Sequence, residues 1–474
     1  MRLARLLGLL LMGVFVVVLF TQMIVLVNTP PPGTDAPVKT NPPAGGTHEP
    51  ANDAHVPDGQ RATVDGKPGI YLSNPSYYKA GSNSNGFQAS RAFIPDDLVT
   101  AASGDWAWAA NVPIVYTWVN GSDPEYQEIR AKYGGTRSVG GSRDRDSGEL
   151  RHSFRSLEIF APWWKGQIFL VSPFAQSPPW LDPQHPRVTI IDQHSIMRDD
   201  GEQPTFNTNA IEQFFYRIPN IGPVFVHVND DYFFGSPLYP WDLFLKDGGS
   251  KLFFERSPIR GTIENQRSYK KSRTKLWVAS VYHTKWLMDE YYKKSVPLHF
   301  VKHSPFVYQT AVLKHLRENM LPEQYIQSSK HRFRHWDDVL TPFAHHAVMM
   351  EEASLFNTTA QVMTFEELVP QMAFLVLRDT TKPNDPTLLD ILNRRPRMFA
   401  INDSFNTAAA GQILHDVISE MFPWVSSFEI DKRSLFRPVR YGIPLPVPTP
   451  EAPSASETAP APETVSQSAS LLAA

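Results

Sequence analysis

The chain has 474 residues, 42% of them hydrophobic and 20% charged, with 45 basic against 48 acidic side chains and no cysteine. This composition excludes a wholly disordered or collagen-like chain. The near balance of charge argues against a nucleic-acid partner, since binding to phosphates needs clustered positive charge. The lack of cysteine excludes disulfides, thiolate zinc sites, iron–sulfur clusters and a cysteine nucleophile.

Residues 6–27 form an apolar stretch. As a helix it would reach about 33 Å at ~1.5 Å per residue, which is enough to cross a bilayer. Arg2 and Arg5 precede it and no basic residue follows before Lys39, so the positive-inside rule predicts a cytosolic segment 1–5. A cleaved signal peptide is the alternative, disfavoured by the length of the stretch and the lack of a clean cleavage site. The sequence therefore predicts a type II signal anchor and contact with a membrane through one helix.

Composition also divides the rest of the chain. The Pro/Gly-rich segment that follows the anchor predicts an extended stem over residues 28–110. A Pro/Ser/Ala-rich segment without Lys or Arg predicts a disordered tail over residues 441–474. A folded body is expected over residues 111–440.

Within the body, strand patterns alternate with helix patterns. β-branched and aromatic runs predict strands at 114–119, 168–171, 188–191 and 224–228. A polar, helix-like segment follows the first strand at 124–130, and apolar spacing predicts a helix at 150–160. A further helix is predicted to start at Asn209, with Glu212 completing a capping box. The order predicts an α/β fold with a mostly parallel sheet flanked by helices. Ligands bind such sheets beyond the carboxyl ends of the strands, which places 120–123 and 229–231 at a candidate site.

Asp230 and Asp231 follow an apolar strand directly. Adjacent carboxylates in a loop can hold a hard divalent cation such as Mg²⁺ or Mn²⁺, and that cation can bridge a diphosphate. A turn of the Asx type, which needs no metal, is the alternative and has equal weight.

The loop after the first strand carries Trp118, Asn120, Gly121 and Asp123. Because glycine lets a backbone approach a ligand closely, these groups could surround a uridine or ribose. An ordinary turn is the alternative.

Arg151 and Arg155 lie about one turn apart on a predicted helix. Two guanidinium groups on one face match phosphate oxygens, although a solvated helix surface is the default interpretation. Histidines cluster in the second half of the body, and each is more often structural than catalytic: His299, His303, His331, His335, His345 and His346.

Several segments, taken in order, resemble the conserved regions of the Stealth family. The resemblance covers roughly residues 112–410 and rests on 114–123, 148–157, 161–163, 204–206, 210–212, 228–231, 303–305, 331–338 and 401–404. Two positions depart from the family pattern. Pro113 stands where an acidic residue is frequent, and Gly148 precedes Glu149 where the family has aspartate.

The family includes the N-acetylglucosamine-1-phosphotransferase of lysosomal enzymes and microbial capsule polymerases. The resemblance implies transfer of a hexose-1-phosphate from a nucleotide sugar, with a UDP-sugar as donor, to a hydroxyl of a glycan acceptor. It implies catalytic roles for Glu212, Asp231, His303 and Arg334. We expect His303 to act as base with Glu212 orienting it or the acceptor, or the two roles exchanged. The ligand-lining positions that it implies are Asn120, Asp123, Arg151, Asn402 and Asp403.

This reaction would release UMP or GMP and form a phosphodiester. A metal-dependent glycosyltransferase, which releases a nucleoside diphosphate, and a carbohydrate-binding scaffold without turnover are the alternatives. Anchor and stem lead us to expect a Golgi membrane protein with a lumenal catalytic domain, in which Asn357 is the candidate glycan site. The sequence leaves a homodimer open.

Overall fold

A computed structural model describes residues 61–72, 92–134, 145–198, 200–261 and 275–430. The predicted anchor at 6–27 and the predicted tail at 441–474 lie outside these ranges and stay predictions. Among the helices of the described ranges, none combines the length and the apolar character that crossing a membrane requires.

Within the described ranges the strands fall in four sheets. In chain order they are β1 (Arg61–Val64), β2 (Lys67–Leu72), β3 (Ala92–Pro95), β4 (Ile114–Thr117), β5 (Ile168–Ser172), β6 (Val188–Asp192), β7 (Val224–Asn229), β8 (Tyr232–Phe233), β9 (Ser250–Pro258), β10 (His299–Val301), β11 (Phe306–Gln309), β12 (Ala360–Met363), β13 (Met372–Arg378) and β14 (Met398–Ser404).

The α-helices are distributed along the whole body. In chain order they are α1 (Pro124–Gly134), α2 (Glu149–Phe160), α3 (Gln193–Met197), α4 (Thr208–Glu212), α5 (Pro240–Leu243), α6 (Leu276–Tyr292), α7 (Thr310–His315), α8 (Pro322–Ser329), α9 (Thr341–Glu352), α10 (Phe365–Leu368), α11 (Pro386–Arg394) and α12 (Ala408–Met421).

The central sheet has five strands in the order β11-β7-β4-β5-β6. Strand β4 pairs in parallel with both β5 and β7, and β5 pairs in parallel with β6. Strand β11 is antiparallel to β7 and closes one edge. The prediction of an α/β fold built on a mostly parallel sheet with flanking helices is confirmed for this sheet.

Side chains of the central strands alternate between two apolar clusters, one on each face of the sheet. Ile114 and Tyr116 belong to one cluster, whereas Val115 between them belongs to the other. Helix α2 covers the first face, and α6 and α9 contribute to the second. Burial on both faces explains why these strands are almost continuously apolar.

The predicted α2 follows its sequence pattern closely. Leu150, Phe154, Leu157 and Phe160, spaced by four and three residues, are all buried. Their common face packs on the sheet, which is the reason for the spacing. Helix α2 directly precedes β5, so its position sets the entry of the second parallel strand.

A smaller sheet with the order β13-β14-β8 joins the edge at which the site lies. Strands β13 and β14 are parallel, and β14 runs antiparallel to β8. The backbone N–H of Ile401 in β14 donates to the carbonyl of Asp231 at 3.3 Å. This contact brings residues near 401 beside the acidic motif near 231.

The structure differs from the predicted stem over residues 28–110. Residues 61–72 and 92–95 form the antiparallel sheet β1-β2-β3, and 3₁₀ turns follow at Asp96–Thr100 and Gly104–Asn111. Ile94 and Leu98 are fully buried in the cluster that also holds Ile114. The folded body therefore includes these residues, because their apolar side chains complete one face of the central core. The interpretation of Pro and Gly content as a stem failed there.

Candidate functional site

The site is built where parallel strands β4 and β7 end together. Thr117 and Asn229, the last residues of these strands, are paired in register. The Thr117 hydroxyl donates to Asn229 Oδ1 at 3.2 Å. The chain then leaves the sheet through Asp230 and Asp231, as expected for ligand-binding loops at a carboxyl edge.

His303 lies against this acidic motif. Its Nε2 is 3.2 Å from Asp231 Oδ2, and its Nδ1 is 3.2 Å from the hydroxyl of Tyr232. The imidazole also packs against the rings of Tyr232 and Phe374, with centroids 4.7 Å and 4.9 Å away. Two residues of the predicted catalytic set, Asp231 and His303, are thus in direct contact although they lie far apart in the chain.

Carboxylates gather around Asp230. Burial raises the pKa of Asp230 well above its ordinary value, and the charges of Asp231, Glu149 and Asp146 raise it further. Burial likewise raises the pKa of Glu149 to about 8, against hydrogen bonds from backbone N–H groups. So many acidic groups in one place are poorly stabilised unless a cation or protons neutralise them.

The carboxylate group fits a hard divalent cation. Asp231 Oδ1 is buried and accepts no hydrogen bond from the described residues, so a ligand oxygen is free. Carboxylate oxygens are the ligands that Mg²⁺ and Mn²⁺ favour. Asp230 and Asp231 therefore remain the predicted metal ligands, with Glu149 and Asp146 adding negative charge.

A second group of possible ligands lies elsewhere in the described ranges. One ligand atom each from His331, His335 and Asp337 come within 4.8 Å of one another. The Nδ1 atoms of both histidines already contact carboxylates of the protein. His331 Nδ1 is 2.8 Å from Asp338 Oδ1, and His335 Nδ1 contacts Asp337 Oδ1. The histidine-rich group is therefore stabilised by its own carboxylates.

Glu212 and Arg334 form the other half of the predicted catalytic set. Burial raises the pKa of Glu212 to about 7, and the positive charge of Arg334 acts in the opposite direction. Arg334 donates to the Thr208 hydroxyl at 3.0 Å, at the start of the short helix that carries Glu212. A carboxyl group with a pKa near neutrality is suited to proton transfer.

The helix that carries Glu212 differs from its prediction. Helix α4 starts at Thr208, and its N-cap is Asn207, whose side chain accepts from the N–H of Asn209. The predicted capping box between Asn209 and Glu212 is wrong, because the Asn209 amide instead donates to Asp338 Oδ2 at 3.1 Å. Asp338 is fully buried and also accepts from Asn207, so it fixes this helix to the 331–338 segment.

In the loop that was expected to surround a nucleoside, two side chains bind backbone groups of the chain itself. Asn120 Oδ1 accepts from the N–H of Ser122, which is an Asx turn. Asp123 Oδ1 accepts from the N–H groups of Glu125 and Tyr126 and caps helix α1. Trp118 is buried and Gly121 accepts from Gln127 through its carbonyl. The geometry supports the turn alternative for Asn120 and Asp123.

Arg151 and Arg155 point to an internal partner. Arg155 is buried and binds both oxygens of Glu429, at 2.7 Å and 2.9 Å. Arg151 binds the same carboxylate at 2.5 Å. Both guanidinium groups are paired internally rather than left on a solvated helix surface, and the interpretation of the two arginines as phosphate ligands stays a prediction. One carboxylate from the C-terminal part of the chain pairs with both guanidinium groups.

Residues 401–404, the last segment of the family resemblance, lie beside the acidic motif. Asn402 and Asp403 belong to β14, which pairs with β8 next to Asp231. Asp403 accepts from the N–H of Phe405 at 3.1 Å and lies 3.7 Å from the guanidinium of Arg145. Their place in the fold agrees with a ligand-lining role, which stays a prediction.

Four residues at the site were missed by sequence reasoning. Tyr232 touches His303, Phe374 packs on the same ring, and Asp146 and Glu149 act on Asp230. Tyr232 follows Asp231 directly, so its place in the sequence could have identified it as a residue of the site. Phe374 had none, because the pairing of β13 with β14 brings it to the site.

Comparison with known proteins identifies three segments. Residues 114–138 match Stealth protein CR1 (conserved region 1), residues 143–252 match CR2 (conserved region 2) and residues 302–351 match CR3 (conserved region 3). These matches include the ends of β4 and β7, helix α4, His303 and the 331–338 segment.

Relatives of this chain include bacterial exopolysaccharide phosphotransferases. An exopolysaccharide phosphotransferase of Streptomyces coelicolor is 30% identical over 332 residues, which is 68% of this chain and 53% of that protein. The exopolysaccharide phosphotransferase CpsY of Mycobacterium tuberculosis is 28% identical over 319 residues, 65% of this chain and 56% of that protein. The chain thus spans about half the length of these relatives.

Among solved structures, the galactosyltransferase LgtC in complex with donor and acceptor sugar analogs is similar over 65% of this chain and 95% of that chain. The identity is 8% and the TM-score 0.32. At this TM-score the likeness supports no conclusion about fold or substrate.

Proposed function

This chain belongs to the Stealth family, and we propose that it transfers a hexose-1-phosphate from a UDP-sugar to a hydroxyl group of a glycan. The relatives named exopolysaccharide phosphotransferases support transfer to a polysaccharide acceptor. The observation that carries the proposal is the contact of His303 with Asp231 beside the buried carboxylates. This arrangement combines a proton-handling group with a place for a cation that can neutralise a diphosphate.

In the proposed reaction the acceptor hydroxyl attacks the β-phosphorus of the donor. A new bond forms between the acceptor oxygen and that phosphorus, and the bond to the oxygen shared with the α-phosphate breaks. UMP leaves with this oxygen, and the sugar stays attached to the transferred phosphoryl group. A divalent cation, when bound, neutralises charge on the phosphate oxygens.

The chain's own residues would share the remaining tasks. Asp230 and Asp231 would hold the cation, and Arg334 would offset charge that develops on the phosphoryl oxygens. The proton of the acceptor hydroxyl goes to Glu212 or to His303. For Glu212, a pKa raised to about 7 by burial supports the role of base.

The released nucleotide tests the proposal. Purified protein with a UDP-sugar, Mg²⁺ and a glycan acceptor should release UMP and give a product that contains a phosphodiester. Release of UDP would overturn the proposal in favour of a glycosyltransferase, because attack at the anomeric carbon leaves both phosphates on the nucleoside. Glycan binding without any nucleotide product would favour a scaffold.

Two variants connect this reaction to the site. Asp231→Asn and His303→Ala should each lower UMP release by about 100-fold or more, in line with losses at groups that act in a transition state. Asp390→Asn and His415→Ala, at exposed positions outside the site, are matched controls and should keep wild-type rates. Wild-type rates in both site variants would contradict the assignment.

A further inference from the structure

A row of hydrogen bonds runs from the interior of the central sheet to His303. His227 Nε2 lies 3.2 Å from the Thr117 hydroxyl, which donates to Asn229 Oδ1 at 3.2 Å. The Asn229 amide donates to the hydroxyl of Tyr232 at 3.3 Å, and that hydroxyl lies 3.2 Å from His303 Nδ1. Beyond it, His303 Nε2 faces Asp231 Oδ2 at 3.2 Å. Each group offers few hydrogens, so the direction of one bond constrains the next.

At the Asp231 end of the row, the contact with the carboxylate determines which ring nitrogen of His303 carries the proton. An ionised carboxylate only accepts hydrogen bonds, so a lone pair on His303 Nε2 would face Asp231 oxygen without a proton between them. Nε2 therefore carries the proton and donates to Asp231. In a neutral imidazole, Nδ1 is then the acceptor, and the hydroxyl of Tyr232 must donate to it.

The His227 end supports the same direction. His227 is fully buried, and its Nδ1 contacts no hydrogen-bond partner among the described residues. With the proton on Nε2, His227 donates a hydrogen bond to the Thr117 hydroxyl. That hydroxyl in turn donates a hydrogen bond to Asn229 Oδ1. The reverse direction would require Thr117 to donate to His227 Nε2 and would leave a buried N–H without an acceptor. An orphaned buried donor is rarer than an under-satisfied acceptor.

We propose that Tyr232 is a positioning residue which holds the ring proton of His303 on Nε2, so that His303 takes part in the reaction as a hydrogen-bond donor. The proposal rests on the phosphoryl transfer proposed above. It separates the two alternatives for the base, since an Nε2 that carries a proton cannot accept one from the acceptor hydroxyl. Proton removal then belongs to Glu212, and the Nε2–H of His303 donates to Asp231 Oδ2 and orients that carboxylate.

Substitutions of His303 distinguish a donor from a base. Glutamine can place an amide N–H near the position of Nε2, whereas asparagine places it near Nδ1. His303→Gln should therefore keep at least about tenfold more kcat than His303→Ala, a difference equal to about 1.4 kcal/mol, within the range of one hydrogen bond. His303→Asn should be no better than His303→Ala. Equal loss in the Gln and Ala variants would overturn the donor role.

Substitution of Tyr232 tests the positioning role. Tyr232→Phe removes only the hydroxyl and should lower kcat about tenfold while KM for the donor changes little. Tyr308→Phe is the matched control. Tyr308 is also fully buried, and its hydroxyl has no hydrogen-bond partner among the described residues, so wild-type kinetics are expected. Equal kinetic effects in the two variants would overturn the proposal.

A measurement without turnover separates this inference from the proposed function. In protein labelled with ¹⁵N-histidine, the His303 signal, assigned by its loss in His303→Gln, should show a protonated Nε2 and an unprotonated Nδ1. Tyr232→Phe should mix the two tautomers, and Tyr308→Phe should not. A protonated Nδ1 in the wild type would overturn the inference even if UMP is released. Release of UDP would overturn the phosphoryl transfer and leave the tautomer measurement valid.

Discussion

At the scale of single residues, the same side-chain chemistry serves structure at one position and function at another. Asp123 and Asp231 both follow a strand of the central sheet. Asp123 caps a helix through backbone N–H groups, whereas Asp231 Oδ1 is buried without a hydrogen bond from the described residues. The difference comes from the next element, since helix α1 begins directly after Asp123 and offers its unpaired N–H groups.

Glu212 provides a prediction for pH dependence. Its pKa is raised by burial to about 7, so the folded protein holds a proton that the unfolded chain releases near pH 4.3. The folded state binds more protons between these values, and stability should therefore fall as pH rises through this window. Glu212→Gln removes the ionisation and should raise the melting temperature more at pH 8 than at pH 5. Thermal unfolding at both values measures this.

Glu366→Gln is the control for this experiment. Glu366 is exposed, and the same pair of pH values should change its effect on the melting temperature very little. A Glu212→Gln effect that is equal at pH 5 and pH 8 would contradict a raised pKa. If Glu212 is the base, the same variant also loses the rise in kcat that accompanies its deprotonation in the wild type.

At the scale of elements, helix α2 is fixed by polar contacts as well as by its apolar face. Arg155 and Arg151 on this helix share Glu429, which is fully buried. Glu429 also accepts from the N–H and hydroxyl of Ser426. The carboxylate thus links the segment near residue 429 to the helix that begins with Glu149, one of the acidic groups of the site.

Glu429→Gln should destabilise the fold strongly. The change leaves the Arg155 guanidinium buried without its counter-charge, and breaking a buried pair in this way costs about 3–5 kcal/mol. Asp390→Asn is the control, since Asp390 and Arg394 form an exposed pair within helix α11, worth about 0.5 kcal/mol or less. Urea unfolding of both variants measures the difference. Equal midpoints, together with a raised KM for the donor in Glu429→Gln, would indicate that these arginines serve the substrate.

At the scale of the whole molecule, the central sheet separates two cores, and the N-terminal sheet completes one of them. Ile94 and Leu98 reach the cluster that contains Ile114, although the sequence around them is rich in Gly, Asn and Ser. The composition of that segment reflects its average polarity and does not show which single side chains are buried. The few apolar residues in it decided its structure, because burial depends on single side chains that find a partner surface.

Removal of these contacts should be costly. Ile94→Ala and Leu98→Ala should each lower the free energy of unfolding by about 2–5 kcal/mol, since both side chains are fully buried and leave a cavity. Leu355→Ala is the matched control, because Leu355 is 72% exposed and its loss should cost about 0.5 kcal/mol or less. Denaturant unfolding measures all three. Equal stability of the Ile94 and Leu355 variants would restore the interpretation of this region as a stem.

Strands β4 to β7, helices α1, α2 and α4, and the position of the acidic loop were predictable from the sequence. Helix α2 illustrates why. Its apolar spacing is visible in the local sequence, and the same side chains pack in the core of the folded chain. Strands β4 and β7 were predicted for the same reason, from short apolar runs that stop at polar turns. The family resemblance named Asp231 and His303 together, and the structure shows them in contact.

Hydrogen bonds and ion pairs between residues far apart in the chain were decided by the tertiary structure alone. Arg151 reaches a carboxylate 278 positions away, and Asn207 reaches Asp338 across 131 positions. No local pattern contains such pairs, because a charged side chain in a sequence carries no mark of which distant group will neutralise it. The sequence by itself determined which chemical groups stand at the ends of the strands. Folding decided which of them are used internally, as at Arg155, and which remain beside Asp231 for a ligand, because burial and hydrogen bonding depend on the neighbours that only the packed chain supplies.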